Sequence, residues 1–283
     1  MLVNPVEMLR QAAKAKYAVG AFNILNELTA RAVVKACEEL RAPVILQTST
    51  ATVRQIGALN LIGFLRSIAD NAAVPVSVHL DHCKDPGLCR ACIDAGWPSV
   101  MIDGSHLPLA ENIAVTRGIV EYAAARGVCV EGELGAIGGV EDDISVSDED
   151  AHLASLEDSL AFTGQTNVDL FAPAIGTAHG LYKGAPKLNF ERFEQIRKAT
   201  LQPLVVHGGT GLSPDVFRRL ISIGASKINI STAVKIAYLG GIREFLSGNP
   251  DIKDPLKLDA YVEGRVMETA KEHIEIFGAV NRA

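Results

Sequence analysis

Residues 75–82 read PVSVHLDH, a mostly apolar run that ends in the polar pair Asp81 and His82. Seven other short runs have the same form, and longer helical patterns such as LTARAVVKACEEL (28–40) separate them. These runs cover residues 17–24, 43–49, 99–105, 128–135, 168–176, 203–209 and 227–232. Because strands covered by helices on both faces are continuously apolar, the alternation predicts a parallel α/β protein. Eight regular units favour a closed (β/α)8 TIM barrel over an open doubly wound sheet.

The length of the chain agrees with one such barrel. A (β/α)8 barrel takes about 250 residues, and the chain has 283 residues, of which 48% are hydrophobic. We therefore predict a single domain over residues 1–283. The segment of about 249–283 exceeds the eight units, and its sequence predicts a loop followed by an extra C-terminal helix.

Charge and apolar patterning exclude two classes of partner. The net charge of −6 is spread along the chain without a basic patch, which argues against nucleic acid and against anionic membrane surfaces. No stretch reaches the ~18 to 20 apolar residues of a membrane span. The N-terminus lacks the apolar core of a secretory signal, so we expect a cytoplasmic protein.

The five cysteines are an odd number, which together with the missing signal predicts reduced thiols. Cys89 and Cys92 form a CxxC, a spacing used in redox and zinc sites. They lie in a predicted helix that starts near Pro86 and stops at Gly96, so both thiols share one face, and no second CxxC follows. We interpret them as small packing residues of the core.

Polar residues collect at the carboxyl ends of the predicted strands, where a (β/α)8 barrel carries its active site. These residues are Asn23, Ser49, Asp81, His82, Asp103, Glu133, His207 and Asn229. Because the chain as a whole is acidic, the positive electrostatic potential that attracts an anionic substrate must come from groups at this end of the barrel.

Three histidines belong to this end of the barrel. His82 follows the third predicted strand, His179 follows the sixth, and His207 lies on the seventh. A single histidine at such a position is more often a satisfied polar group than a ligand. Three imidazoles with an open fourth position, however, are typical of a catalytic zinc site. We interpret the remaining histidines as structural: His79, His106, His152 and His273.

Carboxylates accompany the histidines. Asp81 adjoins His82 and would either exchange a proton with a metal-bound substrate or orient a histidine. Glu131 and Glu133 alternate on the fifth predicted strand, so they face the same side. Two buried acids indicate a polar or metal-lined interior, because an unpaired buried charge is costly.

Glycine-rich turns follow the last two predicted strands. HGGTGLSPD (207–215) places three glycines before a helix, and NISTAV (229–234) places Ser231 and Thr232 at the start of another. Backbone N–H groups at such turns bind phosphate, and barrels form phosphate sites from these two loops. Many βα turns need glycine without binding an anion, so glycine alone does not predict a phosphate site. The prediction depends on the position of these glycines in the loops after the last two predicted strands.

Two further segments are too long for simple connections. They are AIGGVEDDISVSDEDAHLAS (136–155), which is acidic, and TAHGLYKGAPK (177–187). Long loops at the site end of a barrel are usually lids or binding loops.

These stretches resemble the class II ketose-bisphosphate aldolases, the family of the fructose- and tagatose-bisphosphate aldolases. HLDH (79–82) together with GGVEDD (138–143) is the most specific part of the resemblance, which runs in order through nearly the whole chain. The matching stretches are GAFNI, PVILQTS, HLDHC, SVMIDGSH, EGELGAIGGVEDD, IGTAHGLYKG, VVHGGTGL and KINIST. The resemblance implies a (β/α)8 fold, zinc and, in many members, a monovalent cation near the phosphate.

The resemblance also implies roles for single residues. The three histidines would bind zinc, and Glu133 would bind or neighbour it. Asp81 would exchange a proton with the C4 oxygen, and Glu141 would be the base for the dihydroxyacetone phosphate carbon. Asn23 and Ser49 join the substrate-binding set at their strand ends. The dihydroxyacetone phosphate half would be bound by Gly180, Lys183, Gly208, Gly209, Thr210, Asn229, Ser231 and Thr232.

The implied reaction is the reversible cleavage of a ketose 1,6-bisphosphate, of tagatose or fructose type, to dihydroxyacetone phosphate and an aldehyde. Zinc would stabilise the enediolate that forms on the ketone half. The resemblance further implies a homodimer or homotetramer, with the C-terminal helix as the natural contact element.

Two departures from the family pattern fall on the aldehyde half of the site. Members usually have an acid where this chain has Ala233, and many have an arginine where it has Leu256. An aldehyde without a phosphate is therefore an open alternative, while Lys257 or Arg265 could replace the arginine.

Two other functions are disfavoured. A metal-dependent phosphohydrolase or isomerase on the same barrel would not explain the HLDH, GGVEDD and NISTA set. A noncatalytic paralogue would have lost its ligands, whereas all three histidines, Asp81 and Glu141 are present.

Overall fold

The computed structural model describes residues 1–141, 144–146, 152–182, 184 and 186–283, without the side chains of residues 140, 141 and 144–146. The strands are β1 Val19–Asn23, β2 Val44–Ser49, β3 Val76–Cys83, β4 Ser99–Ile102, β5 Cys129–Leu134, β6 Gly138–Glu141, β7 Ile144–Val146, β8 Leu170–Pro173, β9 Ala178–His179, β10 Leu204–Val206 and β11 Ala225–Ile230. The helices are α1 Pro5–Ala15, α2 Glu27–Leu40, α3 Thr50–Ile56, α4 Ala58–Asn71, α5 Pro86–Asp94, α6 Leu109–Ala124, α7 Leu156–Thr166, α8 Phe190–Ala199, α9 Pro214–Ile223, α10 Thr232–Gly248 and α11 Pro255–Ile276.

Eight of these strands form a closed parallel barrel, which confirms the predicted fold. Their order around the barrel is β1-β11-β10-β8-β5-β4-β3-β2, and each coincides with one of the eight predicted runs. The ring closes where β1 pairs with β11, with Val19 opposite Lys227 and Phe22 opposite Ile230. The strands are buried over almost their entire length, because helices cover the barrel from outside.

The predicted C-terminal helix is α11, and it packs against α2 and α10. Asp254 caps its N-terminus by accepting a hydrogen bond from the backbone of Leu256, and Pro255 occupies its first turn. Its buried residues recur every four positions: Val262, Val266, Ala270 and Ile274. This stripe is the face that holds the helix on the barrel.

The two segments predicted to be long loops contain a small second sheet. β6 pairs with β7 in antiparallel fashion and with β9 in parallel fashion, and Gly139 lies opposite His179. The sequence did not reveal these strands, because two- to four-residue strands carry too little alternation to be recognised and their pairing depends on tertiary contact. The sheet joins the acidic segment to the segment that carries His179.

All five cysteines are buried free thiols. Cys89 and Cys92 lie on α5 and are fully buried, in agreement with their interpretation as packing residues. Within the described ranges, none of the helices combines the length and the hydropathy that a membrane span requires.

Candidate metal centre and active site

Three histidines from different parts of the chain meet at the carboxyl end of the barrel. His82 belongs to β3, His179 to β9, and His207 directly follows β10. All three are buried, and one nitrogen of each lies within 4.8 Å of the others. The ring centroid of His82 lies 4.8 Å from that of His179 and 4.4 Å from that of His207. The barrel thus brings together residues that are far apart in sequence.

The backbone of His82 departs from regular strand geometry. Neighbours on a strand face opposite sides, so Asp81 and His82 could not both face the site on a regular β3. His82 instead has a φ of 46°, and the pairing of β3 with β4 shifts register between Leu80 and Cys83. This left-handed conformation is costly for a residue with a Cβ, so the surrounding structure must impose it. It turns both side chains to the barrel mouth.

His82 contacts both His207 and Asp103 through its two ring nitrogens. His82 Nε2 lies 2.7 Å from His207 Nδ1, and His82 Nδ1 lies 3.1 Å from Asp103 Oδ2. Burial alone would lower the pKa of His82, but Asp81, Glu133 and Asp103 raise it well above its usual value. Burial and the charge of His82 lower the pKa values of His179 and His207 well below the usual value. The neighbouring carboxylates thus favour a positive charge at this cluster.

The donor set fits a zinc ion. Zinc binds imidazole nitrogen and carboxylate oxygen, and Glu133 Oε2 lies 3.6 Å from His82 Nδ1, the ring nitrogen that does not face His207. His82, Asp103 and Glu133 also form a second group able to hold a cation. Burial, followed by the charge of Asp103, raises the pKa of Glu133 well above its usual value. Among the described residues, Glu133 Oε2 has no hydrogen-bond donor, so it retains capacity for a cation.

Asp81 is held beside the histidines by three side-chain amides. Asn23 Nδ2 and Gln47 Nε2 donate to Asp81 Oδ2 over 2.9 and 3.2 Å, and Asn229 Nδ2 donates to Oδ1 over 3.2 Å. Burial by itself would raise the pKa of Asp81, but His82, His207 and Lys227 lower it below its usual value. Asp81 is therefore a fixed, ionised carboxylate beside the candidate metal site.

The loops after β10 and β11 pack closely into one corner of the mouth. Gly208 has a φ of 67°, and a Cβ there would lie 2.4 Å from the carbonyl oxygen of Ala178. Gly209 donates from its backbone to the carbonyl of Asn229 over 3.2 Å. Thr210 Oγ1 accepts from the backbone of Ala233 over 3.2 Å. Only glycine fits at Gly208, so the glycines serve this close approach whether or not an anion binds.

Ser231 and Thr232 stand at the start of the seventeen-residue helix α10. Ser231 is buried, and its hydroxyl has no hydrogen-bond partner among the described residues. A free hydroxyl beside backbone N–H groups at a helix N-terminus is suited to bind an anion.

The other predicted site residues are placed as follows. Asn23 lies against Asp81, as described above. The side chain of Ser49 caps the N-terminus of α3 by accepting a hydrogen bond from the backbone N–H of Thr52, which is a structural role. Gly180 directly follows His179 with a φ of 82°. Lys183 and the side chain of Glu141 lie outside the described residues, although the backbone of Glu141 ends β6.

Three residues at the mouth were not in the predicted set: Gln47, Lys227 and Tyr182. Gln47 and Lys227 lie two residues before Ser49 and Asn229 on their strands, so period-two alternation would have placed them in the barrel interior. Asp103, which follows β4, was predicted as a polar strand end but was given no role at the site. Tyr182 carried no sequence signal: its hydroxyl donates to Gly208 O over 2.7 Å and accepts from Ala178 N over 3.1 Å.

The histidines predicted to be structural divide into two pairs. His79 contacts Ser99 and Glu131 inside the barrel, and His273 packs among Phe22, Phe217 and Phe277. The other pair borders open space instead. A cavity of about 710 Å³ opens onto His82 and His179, and its wall includes Lys84, Ser105, His106 and His152.

Comparisons with known proteins agree with this geometry. The family model described as class-II fructose-bisphosphate aldolase matches residues 3–282. A fructose-bisphosphate aldolase of Geobacillus stearothermophilus is 42% identical over 285 residues, covering 100% of this chain and 99% of that protein. A sulfofructosephosphate aldolase of Alkalicoccus urumqiensis is 37% identical, covering 98% and 96%. The crystal structure of the YdjI aldolase from Escherichia coli K12 superposes with a TM-score of 0.89 at 32% identity, with all of both chains covered.

Proposed function

The chain belongs to the class-II fructose-bisphosphate aldolase family, whose members are aldehyde-lyases, and we propose that it reversibly cleaves a ketose 1,6-bisphosphate of the fructose or tagatose type. The products are dihydroxyacetone phosphate and an aldehyde. One observation carries the proposal: three buried histidines converge beside Asp81, a carboxylate held by three amides.

The proposed cofactor is zinc. His82, His179 and His207 would hold it, with Glu133 as a neighbouring donor. Bound zinc supplies Lewis-acid stabilisation of the negative charge that cleavage leaves on the ketone half. The proposal also retains a monovalent cation near the phosphate corner.

Asp81 is the proposed proton acceptor for the C4 hydroxyl during cleavage and the donor to the aldehyde oxygen in the reverse direction. Its lowered pKa keeps it ionised, and its three amide donors leave it little freedom to rotate. Asn229, which donates to Asp81 and lies 3.0 Å from His207 Nδ1, is proposed to contribute to binding of the ketone half. Glu141 is the proposed base for the dihydroxyacetone phosphate carbon.

The phosphate of the ketone half is proposed to bind between the last two loops. Gly180, Gly208, Gly209 and Thr210 would contribute from one side, together with Lys183. Ser231 and Thr232 would contribute from the start of α10, where the buried hydroxyl of Ser231 supports the assignment. Binding energy from this phosphate would orient the reacting carbons.

The aldehyde half is where a second candidate arises. Leu256 is 74% exposed and offers no charge. Arg265 is already paired with Glu268 at 2.9 Å and with Glu244 at 3.6 Å. A relative named sulfofructosephosphate aldolase indicates that related enzymes accept more than one aldehyde half. The second candidate is an aldolase that releases dihydroxyacetone phosphate and an aldehyde without a phosphate.

Cleavage rates separate the two candidates. We expect kcat/KM for fructose 1,6-bisphosphate or tagatose 1,6-bisphosphate to exceed that for ketose 1-phosphates by about tenfold or more, the value of one charge-assisted contact. Lys257→Ala should reduce this preference, while Lys253→Ala in the preceding loop serves as the matched control. Equal or faster cleavage of a ketose 1-phosphate would establish the second candidate instead.

We further propose that the chain is a homodimer or homotetramer that makes contact through its C-terminal helices. Ile236 and Leu239 on α10 and Leu256 on α11 are exposed apolar side chains on one pair of packed helices. Analytical ultracentrifugation tests this, and a monomer at micromolar concentration would contradict it.

A further inference from the structure

Lys227 is a lysine fully buried inside the barrel that no step above uses. Its Nζ lies 2.9 Å from Glu131 Oε2 and 2.8 Å from Asn229 Oδ1. Burying an ammonium is costly unless it is paired and hydrogen-bonded. Replacing such a buried pair by apolar residues is often neutral for stability, so the pair invites an explanation other than stability.

The contact between Lys227 and Glu131 connects the lysine to His207, a candidate metal ligand. Glu131 uses its other oxygen, Oε1, to contact His207 Nε2 at 2.8 Å. A carboxylate only accepts hydrogen bonds, so the hydrogen of His207 lies on Nε2 and the lone pair lies on Nδ1. Nδ1 is the nitrogen that faces His82. Lys227 holds the carboxylate that selects this tautomer.

The contact between Lys227 and Asn229 connects the lysine to Asp81, the residue proposed to transfer the proton. An ammonium only donates, so Asn229 must turn its oxygen to Lys227. Its Nδ2 then points to Asp81 Oδ1 at 3.2 Å and to His207 Nδ1 at 3.0 Å. If the amide were reversed, its oxygen would face the carboxylate of Asp81 and repel it.

We propose that Lys227 is a positioning residue that fixes His207 through Glu131 and Asp81 through Asn229. One buried ammonium thereby sets the orientation of both the metal side and the proton-transfer side of the site. Lys227 acts through its neighbours and does not touch the substrate. The inference rests on the proposed function, because it assigns these neighbours their tasks in metal-dependent cleavage.

Three variants test the proposal: Lys227→Met, Glu131→Gln and the double variant. Zinc affinity is measured by chelator competition, the His207 tautomer by NMR of ¹⁵N-histidine-labelled protein, and cleavage by steady-state kinetics. We expect Lys227→Met to weaken zinc binding about 10- to 100-fold, as for loss of groups that orient metal ligands. It should also change the His207 signal and lower kcat more than it raises KM.

The double variant distinguishes positioning from charge balance. It leaves no buried charge unpaired, so it should recover thermal stability relative to Lys227→Met, and it keeps the test valid if the single variant fails to fold. If positioning is the role, its kcat stays low, because nothing orients Asn229. Two results would contradict the proposal. In one, the double variant regains the kcat and the zinc affinity of the wild type. In the other, Lys227→Met leaves kcat, zinc affinity and the His207 signal unchanged.

Lys271→Met is the matched control, because Lys271 pairs with Glu39 on the surface between α11 and α2. It should leave zinc affinity and kcat within twofold of wild type. Failure of the proposed function would show differently: the wild-type protein would then cleave no ketose phosphate, while zinc affinity and the His207 signal would still report on Lys227.

Discussion

His82 is a candidate metal ligand whose backbone φ angle is one that glycine adopts more easily than other residues. Its φ of 46° lies in the left-handed region, where a residue with a Cβ costs about 1–2 kcal/mol. The sequence predicted the histidine and its place at the end of β3, but not this angle. Nothing in HLDHC distinguishes a regular strand end from a bulged one, because the angle results from the pairing of β3 with β4.

A pair of variants at this position measures the strain. His82→Gly and His82→Ala both remove the imidazole, so their difference reports the backbone alone. We expect the metal-free glycine variant to be more stable than the alanine variant by about 1 kcal/mol in urea unfolding. An alanine variant of equal or greater stability would show that position 82 is unstrained.

Asp81 gives the sharpest separation of proton transfer from metal binding. Asp81→Asn keeps the size of the side chain but removes its basicity, so we expect cleavage to fall about 10²- to 10⁴-fold. Zinc affinity should stay within a few-fold of wild type, because Asp81 is not a proposed ligand. A loss of zinc equal to the loss of activity would assign Asp81 to the metal instead.

The thiols provide a test of the core. Burial raises the pKa values of Cys37 and Cys129, and it raises that of Cys92 to about 12. Contact with Cys83 and burial raise the pKa of Cys89, whereas the same contact lowers that of Cys83. Because the thiolate is the reactive form, the native protein should react slowly with a disulfide reagent at pH 8, with Cys83 first. All five thiols should react at once in denaturant, and rapid native labelling of Cys89 or Cys92 would contradict their role in packing.

At the scale of elements, the eight barrel strands could be predicted and the small sheet could not. The barrel strands show continuous apolar runs because helices cover both of their faces, as PVSVHLDH does in β3. β6, β7 and β9 have two to four residues each, too few for a period to appear. Their partners are set by the meeting of two distant segments at Gly139 and His179.

Gly139 is the position at which this sheet can be tested. Its φ is 100°, and an added Cβ would lie 2.2 Å from the carbonyl oxygen of His179. Gly139→Ala should therefore displace β9 and His179 and lower kcat/KM about 100-fold, the cost of a shift of about 1 Å at a reacting site. The melting temperature should change little, because the small sheet is not one of the barrel strands.

The control for this change is Gly164→Ala in α7, where an added Cβ meets nothing within 4 Å. This variant should keep full activity and gain up to about 1 kcal/mol from better helix propensity. If Gly139→Ala behaves like this control, the contact between β6 and β9 has no part in the site.

For the whole molecule, the barrel explains why scattered residues form one site. His82 and His207 are 125 residues apart in sequence, and the barrel strands β3 and β10 together with β9 of the small sheet bring them and His179 to one mouth. The sequence therefore predicted that these three histidines would meet. It did not predict the hydrogen bonds that orient them, such as Gln47 on Asp81 or Lys227 on Glu131, because these depend on strand register and stagger around the barrel.

Metal dependence is the property on which the site as a whole depends. Protein freed of metal by a chelator should be folded and inactive, and its cleavage activity should return in proportion to added zinc. Recovery should stop at one equivalent of zinc per chain, since the three histidines form one ligand set. Full cleavage of ketose bisphosphate by protein shown to contain no metal would contradict the assignment of His82, His179 and His207.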